Sequence, residues 1–382
     1  MNPGQYRLRY GAICGFSLVA LLLFSNRHGL RVPVTPEAPN RGQPPAAGPL
    51  HDIAESFAPF IFHATDPTGG RQDLITNVDF DGDLIGDNNW ENFDRHQLIP
   101  TVYYSVLETK THFFITYHLF HPRDWTRFTL WLNDTHENDG ENLQVVVRRL
   151  DLRVVLLFTQ AHFEGHLYTD SGTRVEDGEH RLRGSFILFD DRGVPGSAGR
   201  HVGVFVQAHG HGIFGTQDPM SGVSVLRSGE YQFKNGSGLL MRPALAGESV
   251  HEPTQFRSGV VPYRLDSTVL KLWPLLNGGA GVGDGRLFDG ECDYRDEWTR
   301  LWRLPRYYDA DRFSGPLGSD RGISPFALDV EFEPGTLGSL FFHPSHRYLE
   351  LLTIPDEWST TYLNYPFGAA IPLPDPISQE PR

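Results

Sequence analysis

Across residues 112–119 apolar and polar positions alternate. Phe113, Ile115, Tyr117 and Leu119 fall on one side of the repeat, and His112, Phe114, Thr116 and His118 on the other. A period of two is that of a strand. The runs 144–147, 153–159, 185–189 and 202–207 are β-branched or apolar and too short for helices. Turn clusters separate them: Thr169-Asp-Ser-Gly, Asp190-Asp-Arg-Gly and Asn235-Gly-Ser-Gly. With 40 Gly and 28 Pro, long helices are scarce, and short ones are expected only near Leu50–Ala58 and Glu297–Leu304. The fold class this predicts is mainly β: an antiparallel β-sandwich or jelly-roll-like core with long loops and a few short helices.

The ends of the chain read differently. Residues 10–24 carry no charge and follow Arg7 and Arg9, the pattern of an export signal or membrane anchor over residues 1–32. Residues 33–50 are rich in proline and form a stiff linker. A single β-rich globular domain is expected over residues 51–373, with a disordered tail at 374–382. This organisation places the protein outside the cytoplasm, secreted or membrane-anchored.

Composition narrows the picture. At 39% hydrophobic and 12% aromatic residues, the chain can bury a core. A formal net charge of -14 argues against nucleic acid as a partner, since phosphate binding needs a basic surface, and it suits carboxylates gathered around cations. The two cysteines, Cys14 and Cys292, leave no internal disulfide framework once Cys14 is placed in the apolar segment. Cys292 stands among acids, which disfavour a thiolate nucleophile. The glycine run from Gly278 lacks the Lys-Ser/Thr of a phosphate loop.

The chemistry concentrates around His136-Glu-Asn-Asp139-Gly-Glu141, with Asp124 upstream. On a strand Asp139 and Glu141 share a face, and Gly140 allows close backbone approach. Two carboxylates with one imidazole make a mixed oxygen–nitrogen site of His136, Asp139 and Glu141, suited to Mg²⁺ or Ca²⁺ first and to Mn²⁺, or in tetrahedral geometry Zn²⁺, as well. The run Asp79-Phe-Asp81-Gly-Asp83, continued to Asp87, spaces acids like a calcium loop, although Leu84 and Trp90 stand where an EF-hand needs Gly and Glu. His121, Glu137, His209 and His211 are candidate pocket residues, His209-Gly-His211 because imidazoles at a strand end can add metal ligands.

The segment Tyr117-His-Leu-Phe-His-Pro-Arg-Asp124, followed by His136-Glu-Asn-Asp139-Gly-Glu141, resembles the central region of the necrosis- and ethylene-inducing peptide-like proteins. The spacing His-x-x-Asp-x-Glu is that of the family, whereas Asn138 and Gly140 replace its second His and its Trp. The resemblance implies a secreted, membrane-active β-sandwich with a divalent cation held by Asp124, His136, Asp139 and Glu141. Asp79-Phe-Asp-Gly-Asp, Asn88-Asn-Trp and Val204–Gly212 are similar to secreted proteins related to the vacuolar-protein-sorting sixty-two family, which implies a fold rather than an activity. The leading functional expectation is an exported metal-binding protein that binds a lipid or glycan headgroup at a membrane. A structural or adhesive envelope domain with calcium-rigidified loops, and a metal-dependent hydrolase using Glu137 or His121 as base, are the alternatives. Oligomeric state is not legible.

Overall fold

The computed structural model describes residues 48–84, 88–124, 136–162, 164–276, 291–293, 307–309, 324–331 and 337–374. The export segment, nearly all of the proline-rich linker, the glycine run from Gly278, the expected helix at Glu297–Leu304, Asp87 and residues 375–382 lie outside them, as do the side chains of His136 and Cys292. Among the described residues no helix is long and apolar enough to cross a membrane.

The chain is mainly β. Eleven strands carry the architecture: β1 (Phe60–Ala64), β2 (Thr101–Thr109), β3 (His112–Asp124), β4 (His136–Arg148), β5 (Arg153–Ala161), β6 (Glu164–Thr169), β7 (Leu182–Ser185), β8 (His201–Val206), β9 (Ile213–Gly215), β10 (Gly238–Pro243) and β11 (Val260–Ser267). They pair in the order β9-β8-β1-β10-β11-β2-β3-β4-β5-β6-β7, with two short strands branching from β8 and β2. The run β2 to β6 is an antiparallel meander. The pairs β1/β8, β10/β11, β11/β2 and β6/β7 are parallel. The sheet is therefore mixed and curls into a half-barrel, not the antiparallel sandwich or jelly roll expected from the sequence. Alternation identifies a strand but is silent on the direction of its partner, which is why the parallel pairs were not foreseen.

Strand β3 is buried along all thirteen residues. Its Tyr117 side faces helix α1 (Pro49–Ser56), where the Tyr117 hydroxyl donates to the Ala54 carbonyl at 2.7 Å. Proline opens α1, and Leu50, Ile53, Ala54 and Phe57 form its apolar stripe. The other side of the meander is covered by the C-terminal segment, and its polar positions are paired across strands. His118 meets Asn142 at 2.9 Å, the Asn142 amide donates to Gln160 at 3.0 Å, and the Gln144 amide donates to Thr116 at 2.8 Å and to the Leu340 carbonyl at 2.9 Å. Burial on both faces demands this ladder, because an unpaired amide there costs more than the hydrogen bond contributes.

The curl brings β9 across β4 and β5. Phe214 stacks on His166 of β6 with ring centroids 5.3 Å apart. Glycine is required where the layers touch: a Cβ on Gly165 would lie 2.5 Å from the Phe158 ring and 2.8 Å from the Val330 Cα. Gly165→Ala should lower stability by about 1–3 kcal/mol in urea denaturation; an unchanged midpoint would contradict this packing.

Candidate metal centre

Five elements meet where the curl closes. β1 contributes His63, whose Cα pairs with Val206 of β8 on one side and Leu239 of β10 on the other. His121 of β3 stands opposite Asp139 of β4. His211 comes from the turn between β8 and β9, and Asp73 from a one-turn helix at Gly70–Asp73. Ligand atoms of His121, Asp139 and His211 all lie within 4.8 Å of one another, the group of three or more metal-ligating side chains that converges among the described residues. All three residues are buried, at 0, 1 and 0% exposure.

The hydrogen bonds define the proton positions. His211 Nδ1 lies 2.6 Å from Asp139 Oδ2, and its Nε2 is 3.6 Å from Asp73 Oδ1, an ion-pair distance rather than a hydrogen bond. Burial alone would lower the His211 pKa, but the hydrogen bond to Asp139 and the charges of Asp139 and Asp73 outweigh it and raise the pKa to about 9. Without metal, His211 is an imidazolium clamped between two carboxylates. Its ring lies parallel to that of His121, with centroids 3.7 Å apart and an interplanar angle of 3°. Burial and then the neighbouring histidines push His121 well below its ordinary range. His63, lowered to about 4 mainly by burial, is neutral at pH 7. Nδ1 of His121 and Nε2 of His211 are buried and make no hydrogen bond.

Asp73 anchors the histidine turn. Its Oδ2 accepts from the Asp66 backbone N–H at 2.7 Å and its Oδ1 from that of His209 at 2.6 Å. Asp66 in turn meets His209 Nε2 at 3.1 Å. His209 and His211 are held at φ 75° and 51°, Asn138 beside Asp139 at 57°, and His162 at 56°. Left-handed backbone at a residue other than glycine costs about 1–2 kcal/mol. It persists where surrounding contacts over-determine it, and such strain clusters at functional sites.

The other expected site residues are distributed around this centre. Asp124 is the Cα partner of His136 further along the same hairpin. Glu137 accepts from the Trp90 backbone N–H at 2.6 Å, and Glu141 accepts from the His162 backbone N–H at 3.4 Å. Beyond the hairpin, Asp79, Asp81 and Asp83 of the expected calcium loop are each held by an amide. Asn77 donates to Asp79 at 2.8 Å, Asn92 to Asp81 at 2.8 Å, and Asn88 to Asp83 at 3.3 Å. His63, Asp66 and Asp73 were not singled out in the sequence. The signal for His63 is a lone titratable residue in the otherwise apolar strand Phe-Ile-Phe-His-Ala.

A cavity of about 410 Å³ is lined among others by Ala64, His162, Gln207, Gly210, Lys234 and Asn235. Its Ala64 and Gly210 are the chain neighbours of His63 and His211.

No protein-family model and no curated protein matches the chain. The similarity to the vacuolar-protein-sorting sixty-two family therefore finds no support. Among solved structures, one described as a toxin fold for microbial attack and plant defense is 16% identical, with a TM-score of 0.28 over 46% of this chain and 75% of that one. Necrosis and ethylene inducing protein 2 from the causal agent of cocoa's witches' broom disease is 14% identical, with a TM-score of 0.26 over 47% of this chain and 70% of that one. NLPPya in complex with glucosamine is 16% identical, with a TM-score of 0.29 over 46% and 71% of the two chains. Each overlap spans less than half of this chain.

Proposed function

We propose that this chain is an exported divalent-metal-binding β-protein whose cation sits among His121, Asp139 and His211, and that a polar headgroup, sugar or phosphate, docks beside it at a membrane surface. The observation that carries the metal reading is the convergence of two imidazoles and a carboxylate in a buried site where His121 Nδ1 makes no hydrogen bond. A buried polar atom left unpartnered is costly, and a ligated cation removes that cost. Two nitrogens and an oxygen favour Zn²⁺ or Mn²⁺ over Mg²⁺ and Ca²⁺, which prefer oxygen alone. Ligation needs a nitrogen lone pair on His211, so binding displaces its proton. The headgroup reading is supported by the cavity lined in part by the polar residues Gln207, Asn235 and Lys234. Export is supported by the apolar segment at residues 10–24 behind Arg7 and Arg9.

The full chain, stripped with chelator and titrated calorimetrically, should bind Zn²⁺ or Mn²⁺ more tightly than Ca²⁺ or Mg²⁺. It should also float with vesicles carrying glycosylated or phosphorylated headgroups only when metal is present. Calcium preference would redirect the metal reading to the Asp79–Asp83 loop. Flotation indifferent to EDTA and to Asp139→Ala would sink the headgroup reading.

A second reading has one observation in its favour. Complete burial of the three ligands suits a closed site, in which the cation pins the β9 end of the sheet onto β3 and β4 as a structural staple. That reading expects a large Zn²⁺-dependent rise in Tm with no vesicle binding.

A further inference from the structure

From the geometry around β1 we infer that His63 is a positioning residue, holding His121 as the Nε2–H tautomer so that its Nδ1 is the atom left to bind metal. The inference deepens the assignment of His121 as a ligand and rests on it.

It starts from an acceptor. His63 Nδ1 lies 2.8 Å from the Ala64 carbonyl oxygen, which can only accept, so the His63 proton is on Nδ1. His63 Nε2 then carries a lone pair. That atom is 3.1 Å from Nε2 of His121. Two nitrogens at this separation need one proton between them, and it must come from His121. A neutral His121 that donates from Nε2 keeps its lone pair on Nδ1, and Nδ1 is the His121 ring atom that is buried without a hydrogen-bond partner. The chain from carbonyl through His63 to His121 thus ends in a bare, buried lone pair on His121 Nδ1.

The arrangement is rigid. β1 is hydrogen-bonded on both sides, by β8 and β10, and the His63 ring packs edge-on against His121 and His211 with centroids 5.4 and 6.0 Å away. A partner on the second ring nitrogen of a metal-bound histidine fixes tautomer and orientation, the role usually filled by a carboxylate or carbonyl. Here a second imidazole relays a carbonyl's demand. The fold supplies it by placing the one titratable residue of β1 across from β3, although the two strands are not neighbours in the sheet.

The test uses Zn²⁺ as probe, in competition with a chromophoric chelator, on the full chain. In His63→Gln the side-chain oxygen can stand near the Nε2 position and accept from His121. His63→Phe keeps the ring shape and removes the acceptor. Zn²⁺ affinity should fall about 10–100-fold in His63→Phe and stay within about threefold of the parent in His63→Gln. Near-ultraviolet circular dichroism should be unchanged in both. Equal affinity in His63→Phe and the parent, or equal weakening in both variants, would overturn the inference. Nitrogen-15 NMR of the histidine rings in the metal-free parent gives a second arm that needs no variant. His121 observed as the Nε2–H tautomer supports the inference and the Nδ1–H tautomer overturns it, including where His63→Phe does not fold. A parent that binds no Zn²⁺ removes the metal reading while the tautomer measurement still decides the hydrogen bond.

Discussion

Asp139→Asn should lower the unfolding free energy of the metal-free protein by about 3–5 kcal/mol, the usual cost of removing one partner of a buried ion pair. The Asp139 carboxylate serves two donors at once: Oδ1 accepts from the Gly140 backbone N–H at 2.9 Å, and Oδ2 faces His211 Nδ1 at 2.6 Å. An asparagine has one oxygen. If it serves Gly140, its NH₂ confronts the His211 N–H, and if it serves His211, the Gly140 N–H is orphaned. His211 also loses the nearer of its two counter-charges and keeps only Asp73 at 3.6 Å. The same substitution removes a metal ligand, so Zn²⁺ should no longer raise Tm. Urea denaturation with and without Zn²⁺ checks both parts. A loss below about 1 kcal/mol would match an exposed pair rather than a buried one and contradict the geometry.

Acid should unfold the metal-free protein well above the carboxylate range. Burial lowers His63 to about 4 and His118 to about 3, and it lowers His112, beside Arg148, to about 4. His121 is pushed well below its ordinary value by burial and by the histidines around it. Each of these rings gains a proton near pH 6.5 when unfolded but only at lower pH when folded. Below pH 6.5 the unfolded state therefore binds more protons, and stability falls as pH falls towards the folded values. Each such ring contributes up to about 1.4 kcal/mol per pH unit. Four of them give a fall of roughly 4–5 kcal/mol between pH 6.5 and 5.5. His211 acts in the opposite sense. Its folded pKa is raised to about 9, so its contribution is complete below pH 6.5 and is lost as pH rises from there through 9. Denaturation midpoints across pH 5–10 should pass through a maximum near neutrality and fall steeply on the acid side. A flat profile between pH 7 and 5 would show that these histidines are not buried neutral in solution.

The meander was legible in the sequence because it is local. Phe113, Ile115, Tyr117 and Leu119 state the period of β3, and the polar turns mark where the strands end. The parallel pairs were not legible, since the chain between β1 and β8 spans more than a hundred residues and no periodicity records which distant strand returns alongside. The candidate site divides along the same line. Asp139 and His211 stand out as titratable residues beside glycines, and His121 as one in the His-Pro step of β3. The sequence reading joined Asp139 to Asp124, His136 and Glu141 because those are close in the chain. The fold also sets Asp139 opposite His121 across one hairpin and brings His211 from the far end of the sheet, while the His136 side chain lies outside the described residues. The acids of the Asp79 loop look like a cation site by spacing alone. Their neighbours Asn77, Asn88 and Asn92, which are equally visible in the sequence, supply the donors that hold them. His63 and Asp73 carry no motif, and their roles come from tertiary contacts only.

On this reading His121, Asp139 and His211 together hold one divalent cation. The most direct test is metal content by mass spectrometry on the full chain after equilibration with Zn²⁺ and dialysis, beside His121→Leu, Asp139→Asn, His211→Leu and Asp81→Ala. One tightly held Zn²⁺ per chain is expected in the parent and in Asp81→Ala, and none in the three centre variants. A parent without metal, or centre variants that retain it while Asp81→Ala loses it, would show that these three residues hold no cation.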